Sequence, residues 1–167
     1  MTASLPIVIF EALYDDVIVP ARATKDSAGY DLCAHLKERA VQVLAGGLLG
    51  ERVMHDDAVL VLEPGEVALV PVGFRAKLPS GYEAQIRIRS SAAFKKGLTL
   101  PNAPGTIDAD YPDEWLVMIR NSGGASAKIE HGERIAQAVL ARYETAEWKA
   151  GKVGQSTDRK GGLGSTG

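Results

Sequence analysis

Short apolar runs, alternating stretches and closely spaced Gly and Pro give most of the chain a β texture. Residues 82–89 alternate most cleanly. Tyr82, Ala84, Ile86 and Ile88 share one face, and Glu83, Gln85, Arg87 and Arg89 the other. Residues 5–10 form an apolar run suited to a buried strand. Residues 59–62 and 67–72 read as two strands joined tightly through Glu63-Pro64-Gly65-Glu66. Residues 115–119 predict a further compact strand. Residues 135–140 are ambiguous by periodicity, but their length and their place after His131-Gly132 favour a strand. Helix is expected in one place only, residues 91–96, with Gly97 ending it. The pattern predicts an all-β sandwich or barrel.

Two segments depart from it. Residues 36–58 carry Gly46-Gly47 and Gly50 and predict an extra hairpin or a lobe. Residues 151–167 are rich in Gly, Ser, Thr, Lys and Arg, too polar to add to a core, and read as a flexible arm that folds over a ligand. The organisation expected is one domain over residues 1–150 followed by that arm.

Composition narrows the function classes. The chain has 167 residues, enough for one core, and a formal net charge of −2, which argues against nucleic acid or an anionic membrane as the main partner. Aromatics are 6%, so a core would lean on aliphatic side chains. No apolar run approaches the length of a membrane span, and the start lacks a basic signal-peptide region, so a cytoplasmic protein is expected. The one cysteine, Cys33, reads as a small buried hydrophobe. His35, His55 and His131 lack metal-ligand spacing, which makes a zinc site improbable.

Five polar or glycine-rich clusters remain. In Ala28-Gly29-Tyr30-Asp31-Leu32, Asp31 reads either as a strand-end turn residue or as a carboxylate near a metal or its waters. Arg87-Ile88-Arg89-Ser90-Ser91 opens the expected helix, where hydroxyls, backbone N–H groups and the dipole favour an anion. Simple serine capping would explain that cluster taken alone. Residues 102–111, Asn102 to Tyr111, read as a hairpin whose backbone could bond a base edge, with Asp108 turned into a cleft. Gly132-Glu133-Arg134-Ile135-Ala136-Gln137 puts a glutamine into an apolar strand. Residues 159–167 supply the cations, N–H groups and hydroxyls of a phosphate cradle, without the Walker A pattern.

In their order, these clusters resemble the five motifs of the trimeric dUTPase family, covering residues 28–167. The resemblance implies a jelly-roll-like β-clip barrel with one short helix, a homotrimer, and active sites between subunits, each closed by a neighbour's arm. It implies hydrolysis of dUTP to dUMP and pyrophosphate, limiting uracil in DNA and supplying dUMP, with Mg²⁺ as cofactor. Asp108 would be the base for a water attacking the α-phosphorus, and Arg89 would hold the chain near it. Tyr111 would stack under the deoxyribose. Asn102, Gly105, Thr106 and Ile107 belong to the segment that would read uracil through main-chain groups. Ser90, Ser91 and Gln137 would bind α- and β-phosphate oxygens, and Asp31 would touch the waters of Mg²⁺. Arg159 with Gly164, Ser165 and Thr166 would close over the β- and γ-phosphates.

Departures from the family pattern mark where this chain differs. Leu163 stands where Phe usually stacks on uracil, and Arg159 lies one residue closer to it than usual, so Lys160 would share or take over the γ-phosphate. Ser91 and Asp113 replace common glycines, and residues 36–58 have no assigned counterpart. The related dCTP deaminases need a catalytic Glu where this chain has Met118. A dUTPase-like regulator acting through residues 36–58 is the non-enzymatic alternative.

Overall fold

A computed structural model describes residues 5–56 and 58–154. Strands β1 (Ile9–Ala12) and β2 (Gly29–Cys33) come first, followed by β3 (Ala40–Ala45) and β4 (Leu48–Val53). Next are β5 (Val59–Leu62), β6 (Val67–Pro71), β7 (Phe74–Lys77), β8 (Tyr82–Ile88) and the helix α1 (Ser90–Lys96). The order ends with β9 (Leu98–Thr99), β10 (Gly105–Ile107), β11 (Leu116–Asn121), β12 (Ala127–Glu130) and β13 (Arg134–Arg142).

These strands make a four-stranded sheet, β10-β8-β13-β2, and a five-stranded sheet, β4-β3-β6-β11-β9, with the pairs β1-β7 and β12-β5 beside them. All pairings are antiparallel, in an all-β, jelly-roll-like arrangement. Alternation sorts the side chains between the layers. Leu32, Ile86 and Ile135 bury from the first sheet, and Val41, Val70, Val117 and Ile119 from the second. Burying each such side chain contributes about 1.5–3 kcal/mol. Phe74 joins the layers, its ring 5.0 Å from Phe10 and 5.2 Å from Trp115, so Phe74→Ala would cost about 3–5 kcal/mol. Among the described residues no helix is long and apolar enough to cross a membrane.

The glycines of residues 36–58 set the geometry of that segment. Gly46 and Gly47 both take positive φ, 56° and 83°, which a two-residue turn between paired strands requires, and β3 and β4 form a hairpin on the sheet edge. A bond between Asn121 N–H and Glu66 O continues the ladder at the other end of β6. Arg52 in β4 pairs with Glu66 at 2.6 Å, and its hydrogen bond holds the Glu66 carboxyl below its ordinary range. α1 ends as the sequence predicts. Gly97 is left-handed and donates its N–H to Ala92 and Ala93 carbonyls, with Lys95 and Lys96 in the last turn.

Two expectations are corrected. The run 5–10 is not a buried strand: Leu5 and Ile7 are 86% and 79% exposed, and the strand here is β1, at the rim, paired only with β7. Its apolar side chains line an open groove with Tyr30, Trp115 and Leu140. β5 and β6 are joined by a tight turn as expected, and each pairs elsewhere, β5 with β12 and β6 with β3 and β11. Residues 102–111 do not pair among themselves; their one strand, β10, adds to the edge of β8.

Candidate active site

Four of the five clusters meet in one sheet. β2 carries Asp31, the end of β8 carries Arg87 and leads to Arg89, β13 carries Gln137, and β10 carries Gly105, Thr106 and Ile107. Gln137 lies opposite Asp31 on one side and Arg87 on the other. A register slip of one residue would turn Gln137 to the other face, so the apolar neighbours Ala136 and Ala138, both buried, fix where its amide emerges.

Asp31 is a charge hub. Its Oδ2 lies 2.8 Å from Arg89 Nη1 and 3.2 Å from Arg134 Nη1, and its side chain is only 16% exposed. Arg89 Nη1 is buried, close to Asp31 but not aligned for a hydrogen bond, so it is an orphan donor at the start of α1. A buried cationic donor without a hydrogen-bond partner is costly in a plain scaffold and useful where an anion docks. Arg89 is the N-cap in extended conformation and supplies no side-chain cap, so the first-turn N–H groups stay open beside the exposed Ser90 and Ser91. Both guanidinium contacts of Asp31 fall on Oδ2. Its Oδ1 suits the water shell of a hard cation, and the oxygen donor fits Mg²⁺.

Gly29 shapes this end further. A Cβ there would lie 2.1 Å from Gln137 Oε1 and 2.8 Å from Cδ, so the amide rests directly on the glycine backbone. Cys33, on the same strand, has its thiol pushed up by burial and by the Asp31 charge, as suits an inert packing residue.

The third cluster lies at the opposite end of the sheet. Ile107 pairs with Ala84, so Asp108 follows opposite Glu83, six positions along β8 from Arg89. At strand spacing that is roughly 20 Å. The expectation that Arg89 sits near Asp108 therefore fails within one chain, where Arg89 pairs with Asp31 instead. Asp108 is exposed, and a bond from Tyr111 N–H to Asp108 O closes the turn after it. Tyr111 packs half-buried on the core, its hydroxyl donating to Glu114 O at 3.4 Å. Ile107 is buried, which leaves only its main chain for a ligand. Gly105 is approached by Asn102 Nδ2, 3.3 Å from where a Cβ would stand. Arg159, Lys160, Leu163, Gly164, Ser165 and Thr166 lie outside the described residues.

Arg134, Gly29 and Glu114 carry no role that the sequence alone reveals. Arg134 and Gly29 sat inside quoted motifs, but an ion pair and a close approach between separate strands leave no mark in a single sequence. The histidines were read as scattered, yet His35 and His131 meet, ring centroids 5.0 Å apart, around Asp16. Asp16 lies 2.8 Å from His35 Nε2 and 3.4 Å from His131 Nε2. Metal binding is opposed by the tautomer. His131 Nδ1 accepts N–H groups from Leu36 and Lys37 at 3.0 and 3.3 Å, so its proton is on Nε2, where a cation would have to sit. Burial and then the neighbouring His35 push His131 below its ordinary range, which outweighs the pull of Asp16. The cluster clasps the N-terminal segment, with the His35 hydrogen bond holding the Asp16 carboxyl below its ordinary range.

Comparison with known proteins sets the chain beside dUTPases. A dUTPase family model covers residues 56–167. The deoxyuridine 5′-triphosphate nucleotidohydrolase of Desulfotalea psychrophila is 42% identical over 150 residues, 89% of this chain and 87% of that protein. The crystal structure of dUTPase from Streptococcus mutans superposes with a TM-score of 0.64 at 27% identity, covering 84% of this chain and 99% of that one. The dUTPase of phage phi11 of S. aureus, described with a structural Mg(II) ion, shares the fold at a TM-score of 0.68 and 21% identity, covering 88% and 97%. With more than half its length matched by the family and a relative above 40% identity along most of it, the chain belongs to the dUTPase family.

Proposed function

We propose that the chain hydrolyses dUTP to dUMP and pyrophosphate, in active sites formed between copies of a homotrimer. The observation that carries this reading is the convergence of four ordered motifs on one sheet, with the phosphate-type groups at one end and Asp108 and Tyr111 at the other. A base and the residues gripping the same α-phosphate must lie within a few ångströms of it. Roughly 20 Å separates Asp108 from Arg89 along this sheet. One copy therefore supplies Asp108 and the nucleoside pocket, and the next supplies Arg89, Ser90, Ser91 and Gln137.

Each group then has a task. The main chain from Asn102 to Ile107 bonds the uracil edge and leaves no room for a 5-methyl. Tyr111 lies under the deoxyribose and excludes a 2′-hydroxyl. Ser90, Ser91, Gln137 and the orphan Arg89 Nη1 donate to α- and β-phosphate oxygens. Asp108 takes the proton of a water whose oxygen bonds to the α-phosphorus, the bond from that phosphorus to its bridging oxygen breaks, and pyrophosphate leaves. Mg²⁺, when bound, neutralises triphosphate charge, with Asp31 reaching its waters. The arm, residues 151–167, closes over the β- and γ-phosphates through Arg159 or Lys160 with Gly164, Ser165 and Thr166, while Leu163 covers uracil. Such an enzyme serves the nucleotide pool of the cytoplasm.

The test is incubation with Mg²⁺ and, separately, dUTP, dTTP, dCTP and UTP, with products resolved by ion exchange. Conversion of dUTP alone supports the reading. No hydrolysis with dUTP still bound would favour a regulator acting through residues 36–58. Light scattering in solution tests the trimer.

A further inference from the structure

The β3–β4 hairpin is tied to the loop between β10 and β11 by a partly buried ion pair. Arg39, at the foot of the hairpin, donates from Nη1 to Glu114 Oε1 at 3.1 Å and from Nη2 to Oε2 at 2.6 Å. The two side chains are 16% and 15% exposed. Gly73 N–H donates to Glu114 Oε1 at 2.7 Å, and the Tyr14 ring covers the guanidinium 4.8 Å from its centroid. Burial works against the Arg39 charge, but the hydrogen bond and charge of Glu114 outweigh it and raise the pKa. The backbone of Arg39 is fixed as well, by Leu36 O and Met54 N–H. This is a two-point fork, with one partner anchored outside the loop and the other inside it.

The loop it holds carries Asp108 and Tyr111. One end is set by the β10–β8 ladder, the other by Glu114, whose own carbonyl accepts the Tyr111 hydroxyl. Just beyond it, Trp115 exchanges backbone bonds with Phe74 and Val72. Releasing the Glu114 side chain frees one side of the peptide whose carbonyl accepts the Tyr111 hydroxyl. That carbonyl is then held only through Trp115 N–H on Phe74 O, so the effect on the phenol is a tilt rather than a displacement. We propose that Arg39 and Glu114 are a positioning pair that sets sugar selectivity by holding the Tyr111 ring. The hairpin at residues 36–58 is thereby wired to the nucleoside end of the site. This inference rests on the placement of deoxyribose against Tyr111 proposed above.

The comparison pair is Arg52–Glu66. It also ties the hairpin to the sheet, at 2.6 Å, but contacts nothing in the 108–115 loop. The experiment measures kcat/KM for dUTP and for UTP in native protein, Arg39→Met, Arg39→Lys and Arg52→Met, with thermal melting of each. Arg39→Met is expected to lower the dUTP/UTP ratio about tenfold or more, as small misplacements of a positioning group do. Arg39→Lys, which keeps the charge but loses the fork, should fall between it and native. Arg52→Met should lose melting temperature and keep the native ratio. Where Arg39→Met fails to fold, Arg39→Met/Glu114→Gln, which buries no lone charge, is read in its place with the same expectation. A folded Arg39 variant with the native ratio overturns the inference, and so does an equal fall in Arg52→Met. A native enzyme that hydrolyses both sugars equally sinks the reading of Tyr111 itself, a result distinguishable from either.

Discussion

At one end of the four-stranded sheet, Asp31 lies against two guanidinium groups and Gln137 is pressed onto Gly29; at the other, Asp108 stands exposed one residue past β10. The first end is built from side chains that lock each other before any ligand arrives. It also leaves donors open to an anion, Arg89 Nη1 and the first-turn N–H groups of α1. The second end is built from backbone, with Gly105 against Asn102 and Ile107 buried, and in the proposed function its side chains act on sugar and water. Phosphate binding gains from preset charge, because fixed donors need no reorganisation. Base and sugar selection gains from shape. Their separation in one chain is what the proposed pairing of copies answers.

Breaking the nucleoside end should have the largest effect. Asp108→Asn keeps the shape and removes the base, so turnover should fall by about 10²–10⁴ with dUTP still bound. Near-normal turnover, set beside equilibrium binding, would place the base elsewhere.

The phosphate end is sharpened by Gly29→Ala. The new methyl would displace the Gln137 amide and crowd its Cβ at 3.0 Å, so thermal stability should fall modestly while KM rises about tenfold through Gln137. Adding Gly29→Ala to Gln137→Ala should then cost almost nothing more, a coupling that a double-mutant cycle reads directly. Additive losses would mean Gln137 does not transmit the effect.

Leu163→Phe restores an aromatic contact to the arm. It should tighten dUTP by about 0.5–1.5 kcal/mol, seen as a lower KM than native. A KM higher than native would contradict the role given to the arm.

The smallest effect on catalysis comes from the clasp. His131 is held below its ordinary 6.5, so in acid the unfolded chain takes up the proton first. Stability should be complete above about pH 6.5 and should fall as the pH drops below it, levelling once the folded His131 is protonated. Gln at this position can accept the Leu36 and Lys37 N–H groups without titrating, so His131→Gln should flatten that slope in thermal melts. An unchanged slope would assign the acid loss to other groups.

Much of this architecture was legible in the chain. The alternation of 82–89 gave β8 and Gly97 the end of α1, while Gly46-Gly47 left a hairpin or a lobe, of which the hairpin forms; each rests on local backbone or period-2 physics. Residues 5–10 misled because an apolar run reports the wish to be covered, not by what, and here the groove it lines is open within one chain. Asp31 was found as a motif residue, but its pairing with Arg89 and Arg134 depends on strand order. So does the separation of Arg89 from Asp108, which follows from the antiparallel addition of β10 to β8. The His35–Asp16–His131 clasp joins residues far apart in sequence and had no local signal.

The central claim is that base and phosphate grip come from different copies, and subunit mixing tests it most directly. Asp108→Asn and Arg89→Met proteins, each nearly inactive alone, are unfolded together, refolded at equal amounts and assayed for dUTP hydrolysis. Sites split between copies regain activity, about a quarter of native for random mixing, because some interfaces pair an intact Asp108 with an intact Arg89. A refolded mixture no more active than its components would mean each chain builds its own site, and would contradict the account.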